Sequence, residues 1–499
     1  MQPAAMAQPT VQAVKTPFAL FLGNRGFFPA SLLSTARSEM IEVLTGLGHK
    51  VLTLPPDATR HGAVETRREG EIFANFLRAN RGAYGGVICC LPNFGDETGA
   101  VTALKEAGVP LLIQAYPDEL DRMSPAERRD AFCGKFSVMN VFRQHGLPFT
   151  ALEPHVVHPR SAAFAANIDY FDRVCRICTV MKGLVVGAIG ARTTPFKTVR
   201  IDELALQKFG ITTETFDLAG VLSRMNAVKT NDAAFVAKAE RLRGYAGWDD
   251  VPRAAFEKLV SLGVVLDQLI DEHGLGALAV RCWLELQEQV GISPCVILSE
   301  LNDRGIAAAC EVDVGSAVFM QALSRASGDV SACLDWNNNY GDAADKCILF
   351  HCGPVPQGMM AGRGRVVDHA MIEGTLGKGH SYGCNVGRIA PTPFTFGNLL
   401  TRDGEIECYL GEGRFTDDPI PDAFFGCAGV AQIDHLQTVL RQIGYLGHRH
   451  HVCVTPGRVA EAVWEAMTVY LGFRVSGLGT PSPGTWMPGD RVCGRSGPA

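Results

Sequence analysis

Across the 499 residues no apolar run approaches the roughly 18 that a membrane-spanning helix needs. Met1–Lys15 lacks the continuous apolar segment of a signal peptide, so it reads as a loose tail and the chain as cytosolic. There is no run of Lys and Arg, and the formal net charge is −6, which removes the electrostatic footprint expected for nucleic acid or an anionic membrane surface. A complete G-x-G-x-x-G is missing. The nearest approach, Gly187–Gly190 in GLVVGAIG, lacks the fingerprint a nicotinamide dinucleotide requires. The one C-x-x-C, Cys175 and Cys178, has no second pair, whereas a structural zinc wants four ligands. What remains is a globular protein, 47% hydrophobic and 20% charged, with small-molecule chemistry as its expected business.

Its sixteen cysteines sit mostly inside apolar runs such as VICCLP, CVIL and HVCVT, as reduced core thiols do. The first part alternates strand and helix signals: strands at 18–22, 50–54, 86–91 and 109–115, helices at 31–47, 71–81 and 97–107. The pattern restarts near residue 179 with a strand at 183–190, a helix at 198–209 and a strand at 211–216. Further helices follow at 254–269, 281–290 and 293–304. Beyond about residue 346 short strand-like runs broken by Gly and Pro indicate a small antiparallel barrel or sandwich. The expected architecture is α/β, with two doubly wound parallel-sheet domains followed by a β-rich, barrel-like domain. The expected boundaries are a flexible tail over 1–15, a first domain over 16–178, a second over 179–325 carrying Glu311, and a third over 326–499 carrying Asp335 and His451.

The stretch from Cys310 to Asp335 holds the strongest chemical signal. Ile306–Glu311 is an apolar run ending in a carboxylate, Gly315–Ala326 has helical periodicity, and Ser331–Leu334 is a short strand ending at Asp335. Ligands bind at the carboxyl ends of strands in parallel α/β sheets, so acids at two such ends are placed to share a metal or a substrate. Helix capping is the plainer role for each acid taken alone. His351 closes the apolar CILF, and His448, His450 and His451 precede the strand VCVT; histidine is the commonest neutral metal ligand. Arg25 lies at a strand end between two glycines, and Arg192, Lys197 and Arg200 form a basic loop able to hold an anionic group.

These residues resemble the L-fucose isomerase and L-arabinose isomerase superfamily. Fucose isomerases carry an E-x-D motif followed by an Asp 24 residues after the Glu, a spacing met here by Glu311-Val312-Asp313 and Asp335. The arabinose isomerases have an H-H pair before a late strand, which His450-His451 resembles. The resemblance implies that Glu311, Asp335 and His451, with His351 as a further ligand, bind a divalent cation, Mn²⁺ or Mg²⁺. It implies that Glu311 and Asp335 act as base and acid in an aldose–ketose isomerisation through an enediol. It also implies a homotrimer or homohexamer in which the Arg25 loop serves a neighbouring site. Two carboxylates and one imidazole suit Mn²⁺ or Mg²⁺ better than zinc. The substrate is expected to be a hexose, deoxyhexose or pentose, or an anionic, sulfonated hexose held by Arg25, Arg192, Lys197 and Arg200. Two alternatives stay open: a non-catalytic sugar-binding protein, which needs no paired acids, and a nicotinamide-dependent oxidoreductase, which needs the missing glycine fingerprint.

Overall fold

A computed structural model of the protein describes residues 14–478. Most of the tail expected over 1–15, and the end of the region expected to run to 499, lie outside the described residues. The chain divides into two compact units. One comprises residues 14–179 with 465–472, the other residues 180–464 with 473–478, counting described residues alone.

In the first unit, β1 (Phe18–Leu22), β2 (Val51–Thr53), β3 (Gly86–Leu91) and β4 (Leu111–Ala115) form a parallel sheet in the order β2-β1-β3-β4. Successive residues of a strand face opposite sides, and here both sides are apolar. Ala19, Phe21, Val87 and Cys89 enter one core, while Phe18, Leu20, Ile88 and Cys90 enter another. Helices such as Ser31–Gly46 and Arg67–Ala79 cover the sheet, as the periodicity predicts. Cys175 and Cys178 are buried on helix Ala162–Met181, outside every cluster of potential metal ligands among the described residues.

The second unit opens with another parallel sheet, of order β6-β5-β7-β8, from β5 (Val185–Ile189), β6 (Thr212–Phe216), β7 (Ala277–Val280) and β8 (Ala307–Cys310). The helix expected over 198–209 is shorter, Glu203–Lys208. The Asp202 carboxylate accepts from the N–H groups of Leu204 and Ala205, and this cap fixes the start. The helix expected over 293–304 is Cys295–Asp303 with Pro294 at its cap, and the Ser293 hydroxyl accepts from Gln287.

The same unit then builds the expected barrel. Its strands are β9 (Ala332–Asn339), β10 (Lys346–His351), β11 (Arg365–Val367), β12 (Cys384–Arg388), β13 (Thr392–Arg402), β14 (Glu405–Phe415), β15 (Cys427–Gln432), β16 (His451–Pro456) and β17 (Arg474–Gly477). The order β15-β10-β9-β16-β13-β14 closes on itself because β14 also pairs with β15, which removes the sheet edges. Leu334, Phe394, Phe396, Tyr409 and Val454 fill its core. Helix Val314–Ser327 packs on both the second parallel sheet and the barrel, and is accordingly buried almost all round. Gly315 lets it approach closely, since a Cβ there would lie 2.9 Å from the Leu399 carbonyl and 3.0 Å from the Arg449 guanidinium.

Candidate active site

Glu311 and Asp335 reach one place by different routes. Glu311 follows the carboxyl end of parallel strand β8, as expected. Asp335 corrects the expectation: it does not end a parallel strand but sits inside β9, an antiparallel barrel strand that runs on to Asn339. The polar run Trp336–Asn339 looks like a loop in sequence, yet its backbone pairs with β10 on one side while β9 pairs with β16 on the other. That pairing sets Asp335 directly opposite His451 and beside Phe350, next to His351. Glu311 and Val312 both have left-handed backbones, at φ 64° and 58°, and a β-branched residue there is strained. This turn carries the chain from β8 into the cap residue, Asp313, whose carboxylate accepts from Ser316 N at 3.0 Å and Ser316 Oγ at 2.6 Å.

Asp313 is completely buried and is compensated by two further groups. The Arg449 guanidinium donates to its Oδ1, and His451 Nδ1 donates to its Oδ2 at 2.6 Å. Burial would raise this carboxyl, but Arg449, His451 and Ser316 hold it far below the usual carboxylate range. With Nδ1 committed to Asp313, the neutral His451 ring carries its lone pair on Nε2. Nε2 stands 2.8 Å from Glu311 Oε2 and 3.6 Å from Asp335 Oδ1. His451 Nε2 and Glu311 Oε2 are both buried and have no hydrogen-bond partner besides this contact with one another, so two polar atoms converge on one point.

Carboxylates and imidazoles together fit a hard divalent cation, with the Asp313 carboxylate behind the shared His451, and Asp335, His450 and His451 form one potential ligand group. His351 is drawn to the same cluster, forming a potential ligand group with Glu311 and His451. Its Nδ1 accepts the Cys352 N–H at 3.0 Å, so in the neutral ring Nε2 bears the proton and acts as a donor. The acids are electrically unequal. Burial pushes Glu311 up, yet His451, His351 and the Trp283 N–H, which donates to Oε1 at 3.0 Å, hold it below the ordinary range. For Asp335 burial prevails and the carboxyl is raised. The Phe196 ring lies against Trp283, His450 and His451 at 5.4 to 5.9 Å between centroids.

The basic residues divide. Lys197 and Arg200 line an open cleft of about 540 Å³ together with Arg402 and Arg449, with Asp202 as its acidic member. Neither Lys197 nor Arg200 has a carboxylate ion pair among the described residues, whereas Arg402 pairs with Glu407 and Arg449 with Asp313. Arg192 is spent on its own loop, donating to the carbonyls of Thr193, Thr194 and Phe196. Arg25 belongs to the other unit, where it pairs with Glu97, donates to Gly95 O and lies over Phe94. His448 packs against Tyr409. Four contributors escape the sequence reading: Asp313 in its bracing role, Arg449, Trp283 and Phe196. A signal existed for one of them, since D-x-x-S announces a cap at Asp313.

Comparison with known proteins agrees with this geometry. Residues 19–182 match the family described as "Fucose/sulfoquinovose isomerase, N-terminal domain", and residues 349–478 match "L-fucose isomerase, C-terminal domain". Among curated proteins the chain is similar to the sulfoquinovose isomerase of Alkalicoccus urumqiensis, 26% identical over 52% of this chain and 57% of that protein. It is similar to that of Clostridium sp. (strain MSTE9), at 25% over 55% and 60%. It is also similar to that of Priestia aryabhattai, at 23% over 45% and 50%. The matches thus span about half the length of these relatives.

Proposed function

We infer that this chain, which belongs to the fucose isomerase-like superfamily, is an aldose–ketose isomerase acting on a sulfonated hexose. The observation that carries the reading is the convergence of His451 Nε2 and Glu311 Oε2, buried and without other hydrogen-bond partners, beside Asp335. Glu311, Asp335 and His451 would hold Mn²⁺ or Mg²⁺. Such a cation supplies Lewis-acid polarisation to vicinal sugar oxygens. Glu311, ionised in its surroundings, removes the proton from C2 of the open-chain aldose and leaves an enediol. Asp335, whose carboxyl burial raises, is the complementary acid: it gives a proton to O1 and takes the one on O2, and Glu311 returns its proton to C1 to complete the ketose. Asp313 keeps His451 in the tautomer whose Nε2 faces the site, and Phe196 with Trp283 shields that face from water.

The sulfonate is assigned to Lys197 and Arg200 in the basic cleft, two cations without carboxylate partners among the described residues. Arg192 does not share this role, because backbone carbonyls occupy its guanidinium. A homotrimer or homohexamer is the assembly proposed for the family fold, with the Arg25 loop facing a neighbouring subunit. The test of the activity is a panel of neutral and sulfonated aldohexoses assayed with added Mn²⁺ and again after chelation. The reading requires turnover of a sulfonated sugar that chelation abolishes and Mn²⁺ restores. Full activity in the chelated, cation-free protein would contradict it.

A further inference from the structure

Beside the carboxylate and imidazole cluster lies a second one made of sulfur. The thiols of Cys295, Cys310 and Cys352 all stand within 4.8 Å of one another, Cys295 and Cys352 at 3.5 Å, and Cys384 lies 3.9 Å from Cys295. Cys295, Cys310 and Cys384 are at most 1% exposed. Four separate segments deliver them: the first turn of helix Cys295–Asp303, the end of β8, the residue after β10, and the start of β12.

The spacing suits a metal better than a hydrophobic core or a disulfide. Sulfurs bound tetrahedrally to one zinc at about 2.3 Å stand about 3.8 Å apart, close to the 3.5 Å between Cys295 and Cys352 and within the 4.8 Å that contains all three of Cys295, Cys310 and Cys352. A disulfide would unite two of these three thiols and leave the third packed against it. We propose that Cys295, Cys310 and Cys352 form a thiolate site for a thiophilic divalent cation of the zinc type, with Cys384 at its edge beside Cys295. The backbone ties this site to the other one. Cys310 precedes Glu311 and Cys352 follows His351, so the ends of β8 and β10 each give one residue to the sulfur cluster and its neighbour to the oxygen and nitrogen cluster. Ligand softness separates the ions, since thiolates select zinc and carboxylates select Mn²⁺ or Mg²⁺.

The proposal does not depend on the isomerase reading and is tested without a substrate. The full chain, purified anaerobically under reducing conditions, is loaded with Zn²⁺ and studied by X-ray absorption at the zinc edge, and separately with Co²⁺ by its thiolate charge-transfer absorption. The site requires a shell of three or four sulfurs at about 2.3 Å and a charge-transfer band. Both are lost in Cys295→Ser and kept in Glu311→Gln. Zinc bound by oxygen and nitrogen alone, no zinc retained, or a Cys295–Cys352 disulfide in the reduced preparation would overturn it. If Cys295→Ser does not fold, the zinc-edge spectrum of the unaltered chain decides by itself.

Discussion

The Nδ1 of His451 donates to Asp313 Oδ2 across 2.6 Å, and both side chains are buried. A helix cap thereby becomes the second partner of a site imidazole. In Asp313→Asn the amide can offer an N–H to Nδ1, which would move the ring proton to Nε2. The expected outcome is a roughly 10- to 100-fold loss of Mn²⁺ affinity, read by calorimetric titration. Unchanged affinity would show that Asp313 does not set the tautomer.

Arg449 is the other charge on that carboxylate, 5% exposed and ion-paired to a wholly buried partner. Removing one member of a buried pair leaves an uncompensated charge, so Arg449→Ala should cost about 3–5 kcal/mol in denaturant unfolding. A loss below about 1 kcal/mol would mean that water reaches Asp313.

The Glu311–Val312 turn gives a backbone prediction. Val312→Ala and Val312→Gly remove much the same packing but differ in left-handed strain. At φ 58° the glycine variant should be the more stable by about 1 kcal/mol, the reverse of the usual order in regular structure.

Much of this was legible beforehand. Alternating apolar runs marked all four strands of the first sheet, and the Glu311 to Asp335 spacing with His451 pointed to the residues the fold gathers. What was hidden depended on pairing. Asp335 reads as a strand terminus because Trp336–Asn339 is polar, and only barrel registration shows it opposite His451. Arg192 looks equivalent to Lys197 and Arg200 until its loop folds back on it. Cys295, Cys310 and Cys352 stand far apart in the chain, and no local pattern announces that they meet.

Lys135 supplies a pH dependence remote from the site. It is 2% exposed, donates to the His155 carbonyl at 2.7 Å, and burial lowers its pKa to about 8. Between pH 8 and about 10.5 the unfolded chain holds a proton that the folded chain has released, so stability rises with pH across that window. The full effect is on the order of 3 kcal/mol. Lys135→Met should flatten the rise in pH-resolved unfolding. An unchanged slope would assign it to other groups.

Whether Glu311 moves the proton between C2 and C1 is decided by Glu311→Gln. The near-isosteric change leaves packing alone. In D₂O, with Mn²⁺ and a sulfonated ketohexose, the unaltered enzyme should place solvent deuterium at C2 of the aldose. The variant, with its circular dichroism unchanged, should lose both turnover and exchange. Turnover persisting in Glu311→Gln would contradict this role.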